Sequence, residues 1–85
     1  MNRAAIQEQI LTILVDDFEF VEPGLDDNLR DDHGFDSIDA IELLGKIEGI
    51  LGYTITREEK EKAMGIRTVN DILDFIEVID SSHKK

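Results

Sequence analysis

The chain has 85 residues, no cysteine and a formal net charge of -11, from 20 acidic and 9 basic side chains. That length makes one small domain, and the missing thiol excludes disulfides and thiolate metal sites. The charge argues against nucleic-acid phosphates and anionic membrane surfaces as partners and favours basic proteins.

Residues 3 to about 16 place Ile6, Ile10, Ile13 and Leu14 at helical spacing, with Gln7, Glu8 and Gln9 on the other side. Met1 to Ala5 lead into this helix without a signal-peptide core, and no run of about 18 apolar residues follows anywhere. The expected protein is a cytoplasmic monomer without a membrane span. Asp16-Asp17 and the Glu22-Pro23-Gly24 turn signal end the helix, with Phe18, Phe20 and Val21 placed to pack beside its last turn.

Residues 22 to 35 read as one long polar connection containing Asp26, Asp27, Asn28, Asp31 and Asp32, pinned to the core by Leu25 and Leu29. An acidic run of this kind invites a calcium reading. Setting Gly34 at the sixth position of an EF-hand loop puts Leu29 first, His33 fifth and Ala40 twelfth, so three oxygen ligands are missing. No EF-hand or other defined metal ligand set is expected, which leaves loose surface calcium binding as the remaining cation reading.

A second helix is expected over 37 to 51, with Ile38, Ile41, Leu44, Ile47 and Leu51 as its apolar stripe. Asp36 is placed to be its N-cap. Ser37 then stands at the positive end of the helix, among backbone N–H groups without intrahelical partners. An anionic group on that hydroxyl would be well placed, although Ser is also a common helix-start residue with no further role. Gly45 and Gly49 lie inside the helix and Gly52 at its end. Each interior glycine costs about 1 kcal/mol relative to alanine, and close packing against another helix is the favoured explanation. A softened helix, or a shallow groove for an acyl group or partner, is the alternative.

Tyr53-Thr54-Ile55 is a short extended link. Thr56-Arg57-Glu58-Glu59 is a capping-box pattern opening a short charged helix to about Met64, which Gly65 ends. Thr68-Val69-Asn70-Asp71 starts a final helix carrying Val69, Ile72, Leu73, Ile76 and Ile79. Residues 81 to 85 read as a polar tail to a domain spanning 1 to 80.

Asp36-Ser37-Ile38-Asp39, followed by Glu42-Leu43, resembles the Asp-Ser-Leu-Asp…Glu-Leu signature of acyl carrier proteins. Length and helix order are similar as well. The resemblance implies an all-α, four-helix acyl-carrier-like bundle of three long helices and one short, with a long first loop. It implies that Ser37 carries 4′-phosphopantetheine through a phosphodiester, with acyl groups on the terminal thiol, as in fatty-acid, polyketide or related biosynthesis. A phosphopantetheinyl transferase and acyl-handling enzymes with basic docking patches would be the partners. Asp36, Asp39, Glu42 and Glu48 would form the acidic recognition face, and the core, lined by residues such as Ile6, Ile10, Leu14, Ile41, Leu44, Ile55, Ile72 and Ile76, would shelter the acyl chain.

The chain departs from the family pattern in places. His33 stands where Leu is usual, Phe35 where a small residue is common, Ile38 for the usual Leu, and Lys46 on an acidic helix. From sequence, His33 is either an exposed side chain without a role or a group that titrates near neutral pH and loosens the loop. No catalytic residue is assigned, since the carboxylates lack a pocket and no general base accompanies Ser37. A triad with His33 has little support. The rival readings are a peptidyl or D-alanyl carrier using the same serine, and an unmodified acidic helical interaction module.

Overall fold

The computed structural model describes residues 2–83. Helix α1 (Arg3–Asp16) opens on Asn2, whose side-chain oxygen accepts the Ala4 N–H at 2.8 Å. Its buried residues are Ile6, Ile10 and Leu14, each one turn above the last on a single face. The helix stops where Glu19 takes a left-handed φ of 59°. Phe20 N–H then reaches back to the Leu14 carbonyl at 3.0 Å, and this reversal lays Phe18 and Phe20 against the core.

The stretch from 22 to 35 is not a plain loop. It contains helix α2 (Leu29–His33), only five residues long. Asn28 caps it by accepting the N–H groups of Arg30 and Asp31, both at 3.0 Å, and Gly34 closes it with a φ of 70°. The bundle therefore has five helices among the described residues, where the sequence led us to expect four. Three carboxylates of the acidic run are engaged within the chain: Asp27 accepts from Gly24 N–H at 2.8 Å and Asp32 from Asn28 N–H at 3.1 Å, both local, and Asp26 accepts from the distant Asn70 Nδ2 at 2.6 Å. Two backbone bonds stitch this connection to the link before the last helix and to that helix's first turn, from Leu29 N–H to the Arg67 carbonyl (2.7 Å) and from Asn70 N–H to the Leu25 carbonyl (3.2 Å). Leu29 is fully buried and Leu25 partly so. Both pin the connection as expected.

Helices α3 (Ser37–Leu51), α4 (Arg57–Ala63) and α5 (Val69–His83) complete an all-helical bundle, the fold class expected from the sequence. Thr56 and Glu59 exchange side-chain bonds with each other's backbone N–H to start α4, and Thr68 and Asp71 do the same at α5, both at 3.1 Å. Helix α5 packs against α1 and α4. It continues through Ser81, Ser82 and His83, where a polar tail was expected. There His83 stacks on Tyr53 with ring centroids 4.2 Å apart and lies 3.5 Å from a Glu59 carboxylate oxygen. Lys84 and Lys85, the rest of that tail, lie outside the described residues. Among the described residues no helix is long and apolar enough to cross a membrane.

Candidate functional site

The site is built at the turn between α2 and α3. Left-handed Gly34 ends α2, and Phe35 N–H bonds back to the Leu29 carbonyl at 2.9 Å. Phe35 is buried, edge-on to both Phe18 and Phe20. With that anchor set, Asp36 becomes the N-cap of α3. Its Oδ1 accepts the Asp39 N–H at 2.9 Å, and Asp39 Oδ2 accepts the Asp36 N–H at 3.2 Å. Two orphan donors are satisfied reciprocally. Ser37 is the first residue of the helix and exposed, and its hydroxyl makes no hydrogen bond among the described residues.

The buried residues of α3 are Ala40, Leu43, Leu44 and Ile47. The expected stripe thus needs correction: Ile38 is 76% exposed and Ile41 64% exposed, so neither lines the core. Helical spacing ran through two adjacent stripes, and burial of small Ala40 beside Leu43 turns Ile38 and Ile41 outward. They stand in water next to Ser37.

The four acidic residues named from the sequence divide into three kinds. Asp36 and Asp39 are both engaged in the cap. Glu42 is exposed and has no ion pair or side-chain hydrogen bond among the described residues. Glu48 is turned away: its carboxylate accepts the Ile55 N–H at 2.8 Å and lies 3.9 Å from Lys60 Nζ, tying α3 to the extended link after it. Lys46 is likewise occupied, 3.1 Å from Asp17 at the end of α1.

The glycines do not mediate close packing. A Cβ built on Gly45 or Gly49 meets nothing within 4 Å, which overturns the favoured explanation for both. Gly52 has a plain reason, the left-handed C-cap with a φ of 82°. Nor does His33 serve Ser37 as a base. Its Nε2 lies 3.2 Å from Asp27 and its ring stacks on Phe20, so the triad reading fails. The sequence reading of His33 as an exposed side chain without a role fails too, since the side chain is 12% exposed.

Would these residues suit a phosphodiester-linked arm on Ser37? The hydroxyl is open and unengaged, and the end of a fifteen-residue helix favours an anion by about 0.3–1 kcal/mol. A neighbouring carboxylate in water opposes it by about 1 kcal/mol at contact range. The two nearly cancel, so the surface fits a covalently attached group that it does not grip. A groove of about 410 Å³ lies elsewhere, lined by Arg3, Ile6, Leu73, Ile76, Glu77, Asp80 and Ser81, with no residue from α3. Arg3 bridges its rim through ion pairs to Asp74 and Glu77.

A family profile described as phosphopantetheine attachment site matches residues 8–76. The chain is 38% identical over 80 residues to an acyl carrier protein of Thermosynechococcus vestitus, covering 89% of this chain and 93% of that one. It is 36% identical over 80 residues to an acyl carrier protein of Syntrophobacter fumaroxidans, with the same coverage of 89% and 93%. An acyl carrier protein of Coprothermobacter proteolyticus is 30% identical over 79 residues, 91% of this chain and 93% of the relative.

Proposed function

Because this chain belongs to the acyl carrier proteins, which are carriers of a covalent 4′-phosphopantetheine and not enzymes, we propose that Ser37 is the residue that bears the arm. The observation that carries the assignment is its position: first residue of α3, exposed, hydroxyl unengaged, directly after a reciprocally capped Asp36. During attachment Ser37 Oγ gives its proton to a base on the transferase and forms a new ester bond to the pantetheine-bearing phosphorus of coenzyme A. The P–O bond to the nucleotide breaks, and the nucleotide leaves with that oxygen. Once bound, the arm supplies a terminal thiol on which an acyl group rides as a thioester.

What the chain itself contributes is presentation and a docking surface. Ile38 and Ile41 offer apolar contact beside Ser37, and Glu42 offers an unpaired charge on the same helix. A partner with an apolar patch ringed by Lys and Arg matches that chemistry; rim charges speed encounter more than they add affinity. The acyl intermediates belong to fatty-acid, polyketide or related specialised biosynthesis, with a peptidyl or D-alanyl cargo as the rival. Mass spectrometry after incubation with coenzyme A, Mg²⁺ and a broad-specificity phosphopantetheinyl transferase tests the assignment. The parent gains one arm and Ser37→Ala gains none while keeping its helical circular dichroism. A Ser37→Ala protein that still gains the arm, at Ser81 or Ser82 for example, would refute it.

A further inference from the structure

The α1–α2 connection meets the turn before Ser37 through an aromatic cluster, with Phe18 and Phe20 edge-on to Phe35 and the His33 ring laid on Phe20. His33 is the last residue of α2, directly before left-handed Gly34. Its ring lies on Phe20, with centroids 5.1 Å apart and planes inclined by 22°. Its Nε2 stands 3.2 Å from Asp27 Oδ2. The same Asp27 oxygen accepts the Gly24 N–H at 2.8 Å. These two contacts, Gly24 first, hold the Asp27 carboxyl below the usual carboxylate range. Phe20 in turn meets Phe35 edge-on, centroids 6.3 Å apart. The imidazole therefore joins the middle of the connection to the aromatic anchor beneath the turn.

We propose that His33 is a positioning residue for the modification of Ser37: it clasps the α1–α2 connection through Phe20 and Asp27, and so fixes the Gly34–Asp36 turn that presents the hydroxyl. The inference rests on Ser37 as the attachment serine. Two considerations separate a clasp from ordinary packing. A largely buried polar ring is costly unless its nitrogen is bonded, so an aliphatic side chain would fill the space with less penalty. The connection also holds two non-glycine residues at left-handed φ, Glu19 at 59° and Glu22 at 44°, conformations that persist only where neighbours over-determine them. His33 is the neighbour that reaches both Phe20, next to Glu19, and Asp27 beyond Glu22.

If the clasp opens, the turn samples other orientations and the transferase meets a competent Ser37 for a smaller fraction of the time. That raises apparent KM in proportion and leaves kcat alone. The test compares the full-length apo chain with His33→Ala and with His33→Gln, whose amide N–H can still reach Asp27. Amide exchange at Phe20 and Phe35 should quicken roughly three- to tenfold in His33→Ala, the worth of one lost hydrogen bond, with Ile76 and Ile79 in α5 unchanged. Transferase KM should rise by a similar factor at constant kcat, and His33→Gln should recover part of both. Uniformly faster exchange across the chain would make His33 a packing residue and overturn the clasp. A KM rise without any change at Phe20 and Phe35 would overturn it as well, by placing His33 in the transferase contact. Parent protein that takes no arm at Ser37 refutes the attachment assignment instead, and the exchange measurement is independent of it.

Discussion

Helices α3 and α5 are both fifteen residues long, and both start with a reciprocal capping box, yet they do different work. Helix α5 buries Val69, Ile72, Leu73, Phe75, Ile76 and Ile79. Helix α3 buries only Ala40, Leu43, Leu44 and Ile47, and leaves two isoleucines and two helix glycines facing water. Burying a large aliphatic side chain stabilises by about 1.5–3 kcal/mol, so α5 is where the fold is secured. Ile38 and Ile41 contribute little of this kind. An apolar surface beside Ser37 that the fold does not use is available to a partner.

The sharpest test of that division is a pair of matched truncations. Ile72→Ala, at a fully buried position in α5, should lower unfolding free energy by about 2–5 kcal/mol in a urea titration. Ile41→Ala should stay within about 0.5 kcal/mol of the parent. Comparable losses would mean that α3's outer face is part of the core after all.

The capping boxes test the resemblance between the two helices. Asp36→Ala removes the acceptor for the Asp39 N–H and should cost about 0.5–2 kcal/mol. Thr68→Ala at the start of α5 should fall in the same range, because it removes the acceptor for the Asp71 N–H. If only Thr68→Ala registers, the start of α3 is held by its surroundings and not by its cap. The double duty of Asp36 and Asp39 also means that reversing either charge would confuse docking with folding. Glu42 is the cleaner probe. Glu42→Lys should leave the urea midpoint nearly unchanged, yet slow transferase turnover at low salt several-fold, and added salt should narrow the gap. Equal rates at low salt would move the docking surface off α3.

Much of this architecture was legible in the residues, and the exceptions have physical causes. Helix boundaries announced themselves through short polar side chains: Asp36 before α3, Thr56 before α4, Thr68 before α5. Helix α2 escaped because five residues are too few to show a period, although Asn28 before it and Gly34 after it were the cap signals that could have revealed it. Ile38 was placed on the apolar stripe and Ile41 in the core because an α-helix with apolar residues on two adjacent stripes does not say which one is covered. Glu48 looked like a member of the acidic face until the Ile55 N–H, seven residues on, claimed its carboxylate. His33 stood out only as a departure from the family pattern, and its contacts were not legible because Phe20 and Asp27 are brought to it only by the fold. Ser37 was readable as a candidate because its motif is contiguous.

The glycines of α3 give the finest test of the comparison, since α5 has none. Gly49 is helical and exposed, with open space where a methyl would go. Alanine there restricts the unfolded chain and adds no clash, so Gly49→Ala should stabilise the domain by roughly 0.4–1 kcal/mol. The gain has a location as well as a size. Amides from 47 to 51 should exchange more slowly by more than the global increase accounts for, because local opening of that stretch now starts from a better helix former. Amides in α5 should slow only by the global amount. A loss of stability would mean that the glycine makes room for something within this chain, and α3 would then belong to the core as fully as α5 does. A gain confined to residues 47–51 would instead show that the fold tolerates a softer helix there without using it.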